Sequence, residues 1–128
     1  MRYERKIFGY ECDLYGHLNN ANYLHLYEEA RADALEKLGL SVNELNSLGW
    51  QIYITRVELD FFKGLAFEEL ACVVSKIEKS SRVSSVWLQE IYNSQGEICN
   101  RARVKGVFIK SGKPARLEKS LYNKFQMS

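Results

Sequence analysis

The chain has 128 residues, the length of one domain, and its 18 Lys and Arg set against 16 Asp and Glu leave a net charge of +2. That balance is too even for a protein whose main task is neutralising nucleic-acid phosphates or an anionic membrane, and 46% apolar residues is too many for a disordered chain. No apolar run approaches the ~18 residues of a membrane span, and three widely spaced cysteines (Cys12, Cys72, Cys99) argue against a disulfide framework or a zinc knuckle. The charged start, Met1-Arg2-Tyr3-Glu4-Arg5-Lys6, is not followed by the apolar stretch of a leader. The expectation is one cytoplasmic domain over residues 1–128, with no nucleic-acid and no membrane partner.

Residues 3–12 carry Ile7, Phe8 and Tyr10 and predict a first strand. A polar loop follows, Asp13-Leu14-Tyr15-Gly16-His17-Leu18-Asn19-Asn20, with turn residues at its ends. Residues 20–38 form the clearest helix, because Tyr23, Tyr27, Ala30, Ala34 and Leu38 recur at helical steps. Leu24, Leu26 and Leu35 widen that stripe past half the circumference, which predicts cover on several sides. Asn19 or Asn20 suits the N-cap, and Gly39 the C-terminal stop. A short helix is predicted over residues 42–48.

From there the apolar period changes to two. Residues 51–62, 68–78, 82–93 and 97–109 read as long strands rich in Val, Ile, Tyr and Phe. Lys63-Gly64, Lys79-Ser80-Ser81 and Asn93-Ser94-Gln95-Gly96 join them as turns, and beyond Pro114 a charged tail has the character of a short helix. One long helix followed by an antiparallel meander is an α+β layout, with a curved sheet of about five strands wrapped around a central helix.

The segment from Asp13 to Tyr23, continued by Tyr27-Glu28-Glu29-Ala30-Arg31, resembles the signature of the hotdog-fold acyl thioesterases, and most closely the 4-hydroxybenzoyl-CoA thioesterase family with its acyl-CoA and acyl-ACP relatives. That pattern has an Asp, a Gly three residues on, His-x-Asn-Asn, a Tyr ten residues after the Asp, and Glu-x-Ala-Arg on the helix. Asp13, Gly16, His17, Asn19, Asn20, Tyr23, Glu28, Ala30 and Arg31 fill it. Around the second long strand the chain departs from the family's usual Lys-Pro and Gly-Asp, carrying Lys63-Gly64 and Glu68-Glu69 instead.

The resemblance implies an acyl-CoA thioesterase that hydrolyses an acyl thioester to a carboxylic acid and a thiol, with no metal and no other cofactor. Thioester hydrolysis needs an attacking group and a partner for the oxyanion. Asp13 is the candidate carboxylate, either as a nucleophile forming a mixed anhydride or as a general base on water. Its plainer reading is a turn cap. The first amides of the helix have no intrahelical acceptor, so the backbone N–H near Asn20 is the candidate oxyanion donor, the position the family also uses. Gly16 permits a tight turn or a close ligand approach.

His17 is a weaker candidate, contacting Asp13 or substrate, or simply orienting the loop. Tyr23, Tyr27, Phe61 and Phe62 are candidates for an acyl pocket, though a helical aromatic stripe commonly serves as core. The turn Lys79-Ser80-Ser81-Arg82 is the candidate contact for CoA phosphates, with Arg101, Arg103 and Lys105 on one strand face as a further basic group. The spacing of His25, Glu28 and Glu29 suits a metal, but two histidines in the chain and no HExxH argue against one. Unpaired strand edges and the resemblance both imply a homodimer or homotetramer with sites at the subunit junction. The alternatives are an acyl-ACP thioesterase and a non-catalytic hotdog module that binds acyl thioesters.

Overall fold

The structure, a computed structural model, describes residues 1–126. Strands β1 (Arg2–Lys6), β2 (Trp50–Phe61), β3 (Leu70–Ser80), β4 (Ser84–Tyr92) and β5 (Ile98–Lys110) form one antiparallel sheet in the order β1-β3-β4-β5-β2. A two-residue strand, β6 (Lys113–Pro114), folds back on the end of β5. Helices α1 (Tyr23–Lys37), α2 (Val42–Ser47) and α3 (Lys119–Phe125) complete the chain. The four long strands fall within two residues of the expected segments. Among the described residues no helix is long and apolar enough to cross a membrane.

Register shifts at Ile54/Arg56, Ile77/Lys79 and Ile91/Tyr92 each insert an extra residue into one strand. Such bulges bend a strand and increase its twist, so the long sheet curls. Helix α1 lies in the hollow. It buries Tyr23, Leu26, Tyr27, Ala30, Ala34 and Leu35, residues three or four apart and therefore on one face. This is the hotdog arrangement, a long helix wrapped by a curved antiparallel sheet.

Three local expectations are corrected. The first strand ends at Lys6 rather than residue 12, because Gly9–Glu11 turn back as a 3-10 helix whose start is held by the Glu11 carboxylate, accepting from the Phe8 N–H at 3.0 Å. The long helix has a 3-10 turn at Asn20–Asn22 before its α-helical part, since the Asn19 side chain accepts from the Ala21 N–H. Leu26 and Leu35 widen the buried face as expected, but Leu24 does not extend it and stays 42% exposed. Gly39 stops the helix as expected, at φ +73°.

The other end of the hollow is closed by α3, which inserts Leu121 and Phe125, the latter 5.2 Å from Phe108 between ring centres. Beneath α1 the core is not purely apolar. Gln89 is fully buried and donates to the Tyr27 carbonyl at 3.1 Å and to Ser75 Oγ at 2.9 Å. Tyr27 Oη donates to Asn100 Oδ1 at 2.7 Å, and Asn100 Nδ2 has no partner among the described residues. Burial pushes the Tyr27 hydroxyl far above its usual pKa, so it remains a donor throughout the ordinary pH range.

Replacing Tyr27 with Phe removes that donor and leaves both polar ends of a buried amide unpaired. The expected cost is about 1–3 kcal/mol, read as a lowered midpoint in urea unfolding with an unchanged slope.

Candidate active site

The loop carrying Asp13 is closed by backbone bonds. Glu11 and Asn19 are joined by the Asn19 N–H to the Glu11 carbonyl at 3.0 Å, Cys12 bridges Leu18, and the Asp13 N–H donates to the His17 carbonyl at 2.8 Å. Within the loop, the Gly16 N–H donates to the Asp13 carbonyl at 3.1 Å, and Gly16 takes φ +79°, which a Cβ would strain. The Asp13 side chain is exposed. Its Oδ1 accepts from the Tyr15 N–H at 2.9 Å and from the His17 N–H at 3.3 Å. The turn-capping reading of Asp13 is therefore realised, and it uses one carboxylate oxygen. Among the described residues Oδ2 has no hydrogen-bond partner.

His17 meets Asp13 through its backbone, not its ring. The imidazole lies against Gly64, where a Cβ would come within 3.0 Å of it. His17 also bridges Ala66, and the Leu18 N–H donates to the Leu65 carbonyl at 2.7 Å. Gly64, where the family commonly has proline, thus makes room for the ring and lets the loop of residues 62–66 pack on the Asp13 loop.

The helix start is arranged so that one amide remains open. The Ala21 N–H is taken by the Asn19 side chain, and the Asn22 N–H by the Asn19 carbonyl at 2.8 Å. The Asn20 N–H has no acceptor among the described residues. The ladder from Glu11/Asn19 to Asp13/His17 brings this amide and the Asp13 carboxylate to the same end of the sheet.

Two residues that pattern reading passed over position this end. Arg5 on β1 donates to Glu11 at 2.6 Å and to Glu29 of α1 at 2.7 Å, with side chains 18%, 5% and 36% exposed. The Glu11 carbonyl also accepts from Asn22 Nδ2 at 2.8 Å. Strand, loop and helix are tied at one point. The Arg5 guanidinium, then the Phe8 N–H, hold the Glu11 carboxyl below its ordinary value against the opposing effect of burial. Tyr3, donating to Glu29 at 2.8 Å, is pushed up to about 12, first by burial. The one sequence signal for this was an acidic residue inside a segment expected to be a strand.

The remaining candidates are elsewhere. Tyr23 is 2% exposed and packs edge-on to Phe61 at 5.4 Å, so its ring is core and not pocket wall; Tyr27 is core as well. Burial raises the Cys12 thiol above its usual pKa, with Asp13 adding to the effect, so the cysteine beside Asp13 is no ready thiolate. Lys79 and Ser80 end β3, about 30 Å of extended strand from its start beside the Asp13 loop. Within one chain they do not reach Asp13. Ser81 caps the turn by accepting from the Val83 and Ser84 N–H groups, and Arg82 donates to the Leu117 carbonyl at 2.8 Å, anchoring the C-terminal segment. Arg101 pairs with Glu90 over the Phe62 ring, and Arg103 with Glu78.

Two cavities flank α1, and Asp13 lines neither. A polar one of about 530 Å³ lies between Arg5, Tyr10, Glu11 and His25, near the helix start. A more apolar one of about 650 Å³ lies between the second half of α1, helix α2 and the beginning of β2. Glu28 borders both.

A family model of the thioesterase-like superfamily matches residues 9–125. The long-chain acyl-CoA thioesterase FadM of Escherichia coli is 27% identical over 129 aligned residues, covering 98% of this chain and 97% of FadM. A DHNA-CoA thioesterase structure from Staphylococcus aureus superposes with a TM-score of 0.90 at 29% identity, covering 98% of this chain and 90% of that one. A 1,4-dihydroxy-2-naphthoyl-CoA thioesterase structure from Synechocystis, 22% identical, shares the fold with a TM-score of 0.89 over 98% of this chain and 94% of its own.

The Glu11 tie has a pH signature. Its folded pKa lies below the unfolded one, so its stabilisation is complete above the ordinary value of 4.5 and is lost as pH falls through the lower folded value. Glu11→Gln is expected to lower stability at pH 7 by about 2 kcal/mol, and to flatten the loss below pH 4.5 seen in wild-type denaturation curves.

Proposed function

The chain belongs to the thioesterase-like superfamily, and from that premise we propose that it hydrolyses acyl-CoA thioesters through Asp13 and the Asn20 backbone amide. The observation that carries this reading is an exposed carboxylate with one oxygen fixed by backbone donors and the other open, at the same end of the molecule as an amide left without an acceptor. The fixed oxygen holds the side chain in orientation. The open oxygen either attacks the thioester carbonyl, giving a mixed anhydride that water then cleaves, or takes a proton from the attacking water. In both routes the carbonyl oxygen gains negative charge that the Asn20 N–H meets, at the positive end of the helix, and the CoA thiolate departs and is protonated. His17, packed on Gly64, keeps the loop in register as a positioning residue. Gly16 supplies the turn.

The names of the Escherichia coli and Staphylococcus aureus relatives favour a CoA thioester over a carrier-protein substrate, with an aliphatic or an aromatic acyl group. Against the reading of a non-catalytic binding module stands the open Asp13 oxygen, which a binder has no use for.

The site is proposed to be complete in a homodimer. Strand β2 pairs with β5 on one side only, and among the described residues no strand covers its other edge. It exposes Tyr53, Ile54, Val57 and Phe61, and beside Asp13 the side chains of Leu14 and Tyr15 are 101% and 84% exposed. Such an edge invites pairing with a second copy. A two-fold axis through antiparallel β2 strands sets the Trp50 end of one copy against the Phe61 end of the other. It thereby turns the Lys79-Ser80-Ser81-Arg82 end of the partner toward Asp13, where Lys79 and Ser80 are candidates for CoA phosphate contacts.

Asp13→Asn is nearly isosteric and keeps the Oδ1 acceptor. Turnover of acyl-CoA substrates, followed as thiol release, is expected to fall at least about a hundredfold with an unchanged circular dichroism spectrum. Activity equal to wild type would reduce Asp13 to its turn-capping role. Sedimentation is expected to give twice the chain mass for wild type, and Ile54→Lys on the open β2 edge to shift it to monomer with loss of turnover.

A further inference from the structure

Arg31 of α1 differs from Arg5, whose guanidinium bonds to a residue of α1 from β1. The Arg31 guanidinium, largely buried in the wall of the 650 Å³ cavity, donates to Gln89 Oε1 at 2.9 Å. That is one of the five N–H donors a guanidinium carries. Among the described residues no carboxylate forms an ion pair with it, nor with Arg82 and Arg116, whereas Arg2, Arg5, Arg56, Arg101 and Arg103 are all ion-paired. The remaining nitrogens have no partner among the described residues and are not fully sealed from solvent.

Gln89 cannot swing away to leave the site. Its Nε2 is committed to the Tyr27 carbonyl and to Ser75 Oγ, which fixes Oε1 toward Arg31. The result is a cation held in place from behind and left without a counter-ion in front. Burial lowers the Arg31 pKa from its usual value, with Glu28 partly offsetting this, as expected for a desolvated charge lacking a close partner. The rest of the wall is mainly apolar, including Leu45, Trp50, Ile52 and Trp87, and the volume suits a small organic ligand. Glu28, exposed at the rim, is the one other charged group of the lining.

We propose that this cavity binds the carboxylate end of an apolar chain, with Arg31 as its anion partner and the indoles as its walls. Two sources share this chemistry: a free aliphatic acid, or the far end of an acyl group that carries a terminal carboxylate. Binding of the free acid does not depend on the thioesterase reading. Assignment to an acyl tail rests on it.

The chain's two tryptophans, Trp50 and Trp87, both line the cavity, so intrinsic fluorescence reads occupancy directly. Octanoate and octanol are titrated below their aggregation limits into wild type, Arg31→Gln, Arg31→Lys and Glu28→Gln. Octanoate is expected to change the fluorescence saturably and to bind at least about tenfold tighter than octanol. Arg31→Gln should erase that preference, Arg31→Lys should keep part of it, and Glu28→Gln should strengthen it. Equal affinity for acid and alcohol, no response to either, or a preference unchanged in Arg31→Gln would overturn the proposal. If Arg31→Gln does not fold, the lysine and Glu28→Gln variants decide it by the same criteria.

Asp13→Asn should bind octanoate as wild type does, so a failed thioesterase reading leaves this result untouched. Thiol release from suberoyl-CoA and octanoyl-CoA separates the two sources. A selective loss of suberoyl-CoA turnover in Arg31→Gln places an acyl tail in the cavity. Octanoate binding without that loss identifies a site for the free acid.

Discussion

One guanidinium joins the three elements on which the site end of this protein depends. Arg5 lies on the edge strand β1 and reaches both Glu11, in the turn before the Asp13 loop, and Glu29, on the central helix. A half-buried cation between two carboxylates is stabilising only when all three are held close, because each has given up water to be there. The cluster is therefore intolerant of movement. The same residue that supplies one carboxylate, Glu11, offers its carbonyl to the Asn19 N–H and the Asn22 side chain. Loop and helix start are fixed to one peptide unit, so the distance from Asp13 to the open Asn20 amide is set by backbone geometry and not by flexible side chains.

The middle of the helix is fixed differently. Gln89 and Asn100 reach up from the sheet to meet Tyr27 and Arg31, the first through both ends of its amide. Apolar packing alone lets a helix slide or rotate in a smooth hollow. Directed hydrogen bonds in a low-dielectric core specify one register. The cost is visible in Asn100 Nδ2, buried with no partner among the described residues. The polar spine also divides the molecule into working regions, with the Asp13 loop at one end of α1 and the Arg31 cavity beside its other half.

Much of this was legible in the chain. Strand lengths, strand positions and the helix followed from periods of two and near four, because side-chain alternation and helical repeat are local properties. The Asp13 to Tyr23 motif, with its glycine and paired asparagines, was legible for the same reason: each acts on a neighbour within a few residues. Asn19 caps Ala21, Gly16 bonds back to Asp13, and Gly39 ends the helix. The misreadings have one origin. Residues 8–12 alternate like a strand, yet a contact between Glu11 and Arg5 pulls them out of the sheet. Leu24 reads as core, yet among the described residues no element packs over it and it stays 42% exposed. Tyr23 reads as pocket wall or core, and Phe61 packing edge-on to it leaves the ring in the core.

The sequence by itself determined the elements, the fold class and the identity of the candidate carboxylate, since these depend on spacing along the chain. The tertiary structure decided what those residues face. Among the described residues it gave Arg5 two carboxylates and Arg31 none, put the Lys79 to Arg82 turn at the far end of the sheet from Asp13, and left β2 with an open apolar edge. Ion pairing, desolvation and exposure depend on distances between residues tens of positions apart, and no pattern within a short window carries them.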